Sequence, residues 1–269
     1  MSYVSLPMYD WPETQPQTDR LWKQLATLLQ DNGIDCPVTL DRKTVSAIQW
    51  TSGDCLFSQT CGWPYIDHLY SHLTAITTPI YGIEGCNGTT HRSRLVCRAD
   101  DPRLSLAEFS GATVVINEAD SQSGHQAMKS ALTAASLPAP FFAKGFVSGA
   151  HRQSIQLVAD GQADICAVDP VSWQLALRYE KTATDALHVI GEGPQIPGLP
   201  LVCSRDHADI MQAADVSQKV EKLLDDDLDD DIREHLFISG AKKLADDDYR
   251  VLTELNNQAV AAGHTSCLT

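Results

Sequence analysis

Apolar residues recur at helical spacing in two long stretches of the chain. Leu21, Trp22, Leu25, Leu28 and Leu29 follow Thr18 and stop before Gly33, which predicts an amphipathic helix with one apolar stripe and a glycine terminator. Val216, Val220, Leu223, Leu224, Leu228, Ile232 and Leu236 form a second stripe, with Asp225, Asp226, Asp229 and Asp230 falling largely between its members. This predicts one further amphipathic helix with a solvated acidic face. A calcium loop starting at Asp225 would need glycine at its sixth position, where Asp230 stands.

Between these stripes the pattern changes to short apolar runs alternating with helix-like stretches, the signature of a mainly parallel sheet covered by helices. Thr113 to Ile116 reads as a strand and is followed by a helix from about Ser123 to Leu132. Gly145 to Val147 is the next strand, followed by a helix from about His151 to Asp160 that Gly161 ends. Asp164 to Val168 is a third strand, after which Asp169 and Pro170 supply an N-cap and a first helical residue. Leu187 to Ile190 and Leu199 to Cys203 read as later strands, joined by a Gly/Pro-rich crossing from Gly191 to Gly198.

Composition narrows the class without changing this outline. The 269 residues are 43% hydrophobic, 7% aromatic and 20% charged, an ordinary globular balance with room for two lobes. Thirty-five acidic against twenty basic residues give a net charge of -15, which opposes a nucleic-acid partner or an anionic membrane. Residues 215–250 alone hold twelve acidic and six basic residues. No run approaches the roughly 18 to 20 apolar residues needed to cross a bilayer, so no membrane insertion is expected. The first residues lack a signal-like basic head and apolar stretch, which reads as cytoplasmic for the sequence as given and as periplasmic if a signal has been removed. The eight cysteines show no zinc spacing; Cys97, Cys166 and Cys203 sit in apolar runs as core residues, while Cys61 and Cys86 lie beside glycines and are candidates for a disulfide.

The chain has no P-loop, no H-E-x-x-H, no G-x-S-x-G around Ser123 and no complete dinucleotide fingerprint at Gly191–Gly193. What remains is Asp120-Ser121-Gln122-Ser123-Gly124, directly after a strand and opening a helix. Unpaired N–H groups at a helix start, with small hydroxyls and a glycine, form an anion cradle; an ordinary N-cap by Ser121 is the structural alternative. Ser148 to Ile155 opens the next helix, and if it does so at the same sheet edge, His151 points into the same crevice. Asp169 is an N-cap or a ligand contact. Tyr9, the Ser58–Gly62 segment with Thr60, and Thr90–Ser93 with His91 supply hydroxyls, an amide and aromatic bodies suited to a small polar ligand.

These residues carry a family resemblance. Ser121-Gln122-Ser123-Gly124, Ser148-Gly149-Ala150-His151-Arg152-Gln153-Ser154-Ile155 and Ala163-Asp164-Ile165-Cys166-Ala167-Val168-Asp169 resemble, in order and spacing, the phosphate, phosphite and phosphonate substrate-binding proteins of ABC importers. This is the PhnD-like branch of the type II periplasmic-binding-protein superfamily. Thr90 to Pro102 is similar to that family's crossing between lobes, with His91 where tyrosine is expected.

The resemblance implies an α/β fold of two lobes, each a mostly parallel sheet flanked by helices. Residues 1–98 and 200–269 would form the first lobe and 99–199 the second, with a hinge near 98–102, a return near 191–200, and the C-terminal helices folded back on the first lobe. Ser121, Ser123 and the amides of Gln122 and Gly124 would hold ligand oxygens in an interlobe cleft, with His151 donating to another. Tyr9, Thr60 and Tyr65 would close from the first lobe. Asp169 would accept from a protonated oxygen or an amino group, and His91 and Gln122, which depart from the family pattern, would tune selectivity.

The function expected is non-catalytic binding of a small oxyanion (phosphonate, phosphate or phosphite) by a monomer that serves an ABC permease, with no metal or organic cofactor. Two alternatives stand beside it: a cytoplasmic ligand sensor, and an enzyme of the same fold with Cys61 as nucleophile and His91 or His151 as base.

Overall fold

The stripe after Thr18 folds as Gln15–Asp31, which buries Leu21, Trp22, Leu25 and Leu29 and ends before Gly33 at a positive φ of 77°. The computed structural model describes residues 2–268. The described chain forms two compact units: 2–82, 87–90 and 197–249 make the first, and 83–86, 91–196 and 250–268 the second.

The first unit is built on a five-stranded sheet in the order Tyr3–Val4, Cys55–Gln59, Leu201–Ser204, Leu73–Tyr81, Ile238–Lys242. Only the first pair is parallel; the other three are antiparallel. Its core joins the Gln15–Asp31 stripe to Leu56, Phe57, Leu201 and Cys203 of the sheet and to Val216, Val220, Leu224 and Ile232 of the later helices. The acidic stretch is not one helix. It runs as Val216–Lys222, a wide turn at Leu223–Asp227, a break at Leu228 and a new helix Asp230–Leu236, because Asp229 caps the last segment through the N–H of Asp231. Its aspartates are also more engaged than a purely solvated face requires: Asp225 accepts from the Ala241 N–H at 2.9 Å, and Arg20 pairs with Asp229 and Asp231.

The second unit has the strand order Leu187–Glu192, Arg94–Arg98, Ile165–Val168, Thr113–Ile116, Lys144–Val147. The last three are mutually parallel, whereas Arg94–Arg98 runs antiparallel to both its neighbours. Both sheets are therefore mixed rather than mostly parallel. Because Arg94–Arg98 is a full member of the second sheet, the passage into that unit falls at residues 90–91, earlier than the expected 98–102; the return falls at 196–197. Residues 250–268 also belong to the second unit rather than the first. The carbonyl of Cys267 crosses so close to Gly145 that a Cβ there would sit 1.7 Å away, and His264 contacts the Leu137 carbonyl at 3.0 Å. None of the eight cysteines, Cys61 and Cys86 included, is joined in a disulfide.

Candidate functional site

Three parallel, adjacent strands of the second unit deliver three helix starts to one sheet edge, the position where open α/β sheets bind ligands. Thr113–Ile116 leads to the turn Gln122–Gln126, Lys144–Val147 to helix His151–Ala159, and Ile165–Val168 to helix Pro170–Tyr179. Arg94 pairs with Val168, so His91, just ahead of that antiparallel strand, reaches the same edge.

The first start is wound wider than an α-helix. Gln126 N–H reaches back to the Ser121 carbonyl at 3.0 Å, five residues away, before an ordinary helix resumes at Ala127. Ser121 acts as the N-cap, its Oγ accepting from the Gly124 N–H at 3.0 Å. The Gly124 amide is thus engaged in the cap, while those of Gln122 and Ser123, in the first turn, have no intrahelical acceptor by position. A Cβ at Gly124 would lie 1.9 Å from Asn117 Oδ1, so a larger residue here would have to displace the Asn117 side chain.

The second start is tied to the first strand: Ser148 N–H and Gly149 N–H donate to the carbonyls of Ile116 and Asn117, each at 2.8 Å. That anchoring brings His151 Nε2 to 2.9 Å from Ser123 Oγ. The third start is capped by Asp169, whose Oδ1 accepts from Val171 and Ser172 N–H at 2.8 and 3.1 Å. Its other oxygen lies 3.9 Å from His91 Nε2.

Electrostatically the site is a buried cluster of donors and acceptors in which the two imidazoles are neutral. Burial holds the His151 imidazole down to about 4, against the opposing pull of Asp169, with His91 lowering it further. Burial likewise lowers His91, again opposed by Asp169. Both rings are neutral near pH 7. Guanidinium groups of this unit are matched with carboxylates: Arg94 with Glu84 and Glu192, Arg98 and Arg103 with Asp101 and Asp164, Arg152 with Glu180.

Several polar atoms at this edge are buried without a hydrogen-bond partner: His91 Nε2, Gln122 Oε1 and His151 Nδ1 among the expected residues, and Ser93 Oγ and Asn117 Oδ1 in addition. Leaving such a group unpaired costs about 1–3 kcal/mol. Asn117 had no motif to mark it, whereas Ser93 closes the Thr90–Ser93 segment named for its hydroxyls. The available signal for Asn117 was its place directly after a strand that ends at the ligand edge.

The residues expected from the first unit are less uniform. Thr60 Oγ1 is buried and unpartnered. Tyr9 stands edge-on to Tyr81, ring centroids 5.4 Å apart, beside a cavity of ≈ 40 Å³ lined largely by Leu6, Leu21, Leu25 and Pro79. Tyr65 is fully buried; its hydroxyl donates to Asp246 at 2.6 Å and accepts from the Ala75 N–H at 3.2 Å, which makes it a support of its own unit's core. Cys61 lies with its sulfur 3.7 Å from that of Met8.

No curated protein is detectably similar in sequence. Among solved structures, PhnD1 from Prochlorococcus marinus in complex with methylphosphonate is similar at 15% identity and a TM-score of 0.74, covering 96% of this chain and 97% of that one. A binding-protein component of an ABC phosphonate transporter from Pseudomonas aeruginosa is similar at 15% identity and a TM-score of 0.74, with 98% and 90% covered. XAC2383 from Xanthomonas citri bound to ATP is similar at 14% identity and 0.70, with 98% of each chain covered. These likenesses show the two-lobed type II periplasmic-binding-protein fold. Among the described residues no helix is long and apolar enough to cross a membrane. The profile of the family described as "ABC transporter, phosphonate, periplasmic substrate-binding protein" matches residues 13–249, and the chain belongs to that family of transporter substrate-binding proteins.

Proposed function

We propose that this protein captures a small tetrahedral oxyanion, phosphonate first and phosphate or phosphite next, for delivery to an ABC permease. The observation that carries the reading is the 2.9 Å approach of Ser123 Oγ to His151 Nε2, which joins two helix starts into one cradle. Around it lie buried polar atoms of His91, Gln122 and His151 with no protein partner. Neutral hydroxyl, amide and imidazole donors suit such a ligand, since the contacts act at bonding distance while distant surface carboxylates are screened by salt. The net charge of -15 is therefore no obstacle.

In this reading the Ser123 hydroxyl accepts from His151 Nε2–H and donates to a ligand oxygen, the amides of Gln122 and Ser123 donate to others, and Ser121 shapes the turn. Asp169 accepts from a protonated oxygen or amino group, and His91 and Gln122 select among substituents. Tyr9 and Thr60 remain the proposed first-unit contributors. The methylphosphonate bound by PhnD1 of Prochlorococcus marinus makes that compound the natural first probe.

A thermal-shift and calorimetric panel of methylphosphonate, 2-aminoethylphosphonate, phosphite, phosphate and sulfate tests the reading. A ligand present at 100 times its Kd stabilises the folded form by about 2.7 kcal/mol. At least one phosphorus oxyanion should do so, and no response to any of them would overturn the proposal.

A further inference from the structure

The candidate site sets two imidazoles around one carboxylate, and this arrangement deepens the oxyanion reading, on which the following inference rests. His91 Nε2 lies 3.9 Å from Asp169 Oδ2 and has no hydrogen-bond partner. His151 has committed Nε2 to Ser123, and its Nδ1 is buried and unpartnered. Cys86 and Arg94 also face this cluster. Cys86 is pushed up to about 12 by burial and then by Asp169, so its thiol keeps its proton. Arg94 packs at Gly85 and is paired with Glu84 and Glu192.

An oxyanion entering here brings a like charge to the neighbourhood of a buried carboxylate. Like charges held close in a poorly solvated site are relieved when one nearby group binds a proton. The base best placed to do so is the imidazole with an open ring nitrogen beside that carboxylate. Once protonated, His91 donates from both ring nitrogens and so compensates the carboxylate and the bound anion together.

We propose that His91 is the residue that sets the charge state in which the site accepts its ligand, oxyanion capture being coupled to the uptake of one proton by the His91–Asp169 pair. The proton comes from solvent, forms an N–H bond on His91 Nε2, and returns to solvent when the ligand leaves. No bond of the ligand is broken. Affinity should then fall about tenfold per pH unit as pH rises across the window in which the free ring is neutral and the loaded ring is charged.

The test is isothermal titration calorimetry of the full chain near pH 7 in buffers of different ionisation heat. The probes are methylphosphonate, inorganic phosphate and methanesulfonate, the last of which has no proton of its own to exchange. The expected result is a binding heat that varies with buffer, equivalent to about one proton taken up per ligand. The His91→Gln and His91→Phe variants should bind the same probe more weakly near pH 7, with the uptake gone and the pH slope flattened. A buffer-independent heat in the unmodified protein, or an uptake that persists in both variants, overturns the inference while leaving oxyanion binding intact. Failure of every probe to bind overturns the oxyanion reading and this inference with it. Nitrogen-15 shifts of the His91 ring in the unmodified protein decide the matter if both variants misfold: the ring should change from neutral to doubly protonated when the bound probe is added, and an unchanged ring overturns the proposal.

Discussion

The two units treat their buried polar groups in opposite ways. In the first, hydroxyls deep in the core are paired with one another or with the backbone: Thr78 with Tyr249 at 2.8 Å, Ser5 with Ser58 at 2.8 Å, Tyr65 with Asp246 and Ala75. Apart from Thr60, the unpartnered buried atoms there among the described residues are side-chain carbonyls of Gln17, Gln24 and Gln49, carried by two helices. In the second unit the unpartnered atoms belong to His91, Ser93, Asn117, Gln122 and His151, all on segments that meet one sheet edge. Scattered polar groups that are satisfied stabilise a core, whereas grouped ones left unsatisfied lower stability in exchange for recognition.

The largest effect expected from this contrast is on acid stability. The imidazoles of His91, His125 and His151 are all held low, mainly by burial, and all lie in the second unit. A folded-state value below the unfolded one means that the unfolded chain binds protons first as pH falls. Stability is then constant above about pH 6.5 and declines toward pH 4, where His151 itself titrates. For His151 alone the decline is about 3 kcal/mol. Hydrogen exchange at Ile165–Val168 should accelerate over this window more than at Cys55–Gln59, and His151→Gln should flatten the trend. Equal acceleration in both strands would break the comparison.

Next in size is the effect of Ser123→Ala on ligand affinity. Removing the hydroxyl deletes a donor to the anion and leaves His151 Nε2 without its partner. A hydrogen bond to a charged group contributes about 1.5–3 kcal/mol, so affinity for the tightest phosphorus oxyanion should fall roughly 10- to 100-fold. The free protein should also lose about 1–3 kcal/mol of stability, the cost of leaving the buried His151 Nε2 unpaired, with no helix cap lost. Calorimetry giving an unchanged Kd would remove Ser123 from the cradle.

Much of the second unit was legible because its signals are local. Thr113–Ile116 is a run of four strand-forming residues with clear ends, and Asp169-Pro170 is a cap followed by a residue pre-set for the first helical turn. Ser123 and His151 were legible as residues, but their convergence depends on three strands being parallel and adjacent, which no local pattern encodes. Leu73–Tyr81 escaped notice for the reverse reason. It is a mostly buried strand with threonines and Pro79 where alternation would be read. Thr77 is accommodated by Glu221 and Thr78 by Tyr249, partners 144 and 171 residues away. The break at Leu228 was hidden because the apolar spacing continues across it while the cap that ends the run, Asp229, looks like one more surface aspartate.

The placement of the last twenty residues can be tested through Gly145. An alanine there would put a Cβ 1.7 Å from the Cys267 carbonyl oxygen and 2.8 Å from its carbon, a backbone obstacle that cannot rotate aside. Overpacking of this kind costs about 1–3 kcal/mol. Because Cys267 N–H also donates to His125 Nε2 at 3.0 Å, the displaced tail should expose the His125 ring. Gly145→Ala should therefore raise both proteolytic sensitivity after residue 261 and the pH at which His125 titrates by NMR. Neither change would occur if the tail does not pack against this strand.

The smallest effect separates the units most sharply. Tyr65 was expected at the ligand, yet its hydroxyl is used twice inside the first unit, toward Asp246 Oδ1 and from Ala75 N–H, and its ring stands 5.3 Å from Tyr249. Burial, followed by Asp246, raises its ionisation well above the ordinary tyrosine value, so it acts only as a neutral hydroxyl. Tyr65→Phe keeps the ring packing and leaves the Ala75 N–H unpaired, at a cost of about 1 kcal/mol. Denaturation should register that loss while calorimetry with the phosphorus oxyanion shows affinity within about twofold, a change of about 0.4 kcal/mol. A tenfold weaker Kd with unchanged stability would instead return Tyr65 to the ligand and dissolve the distinction between a saturated unit and a recognising one.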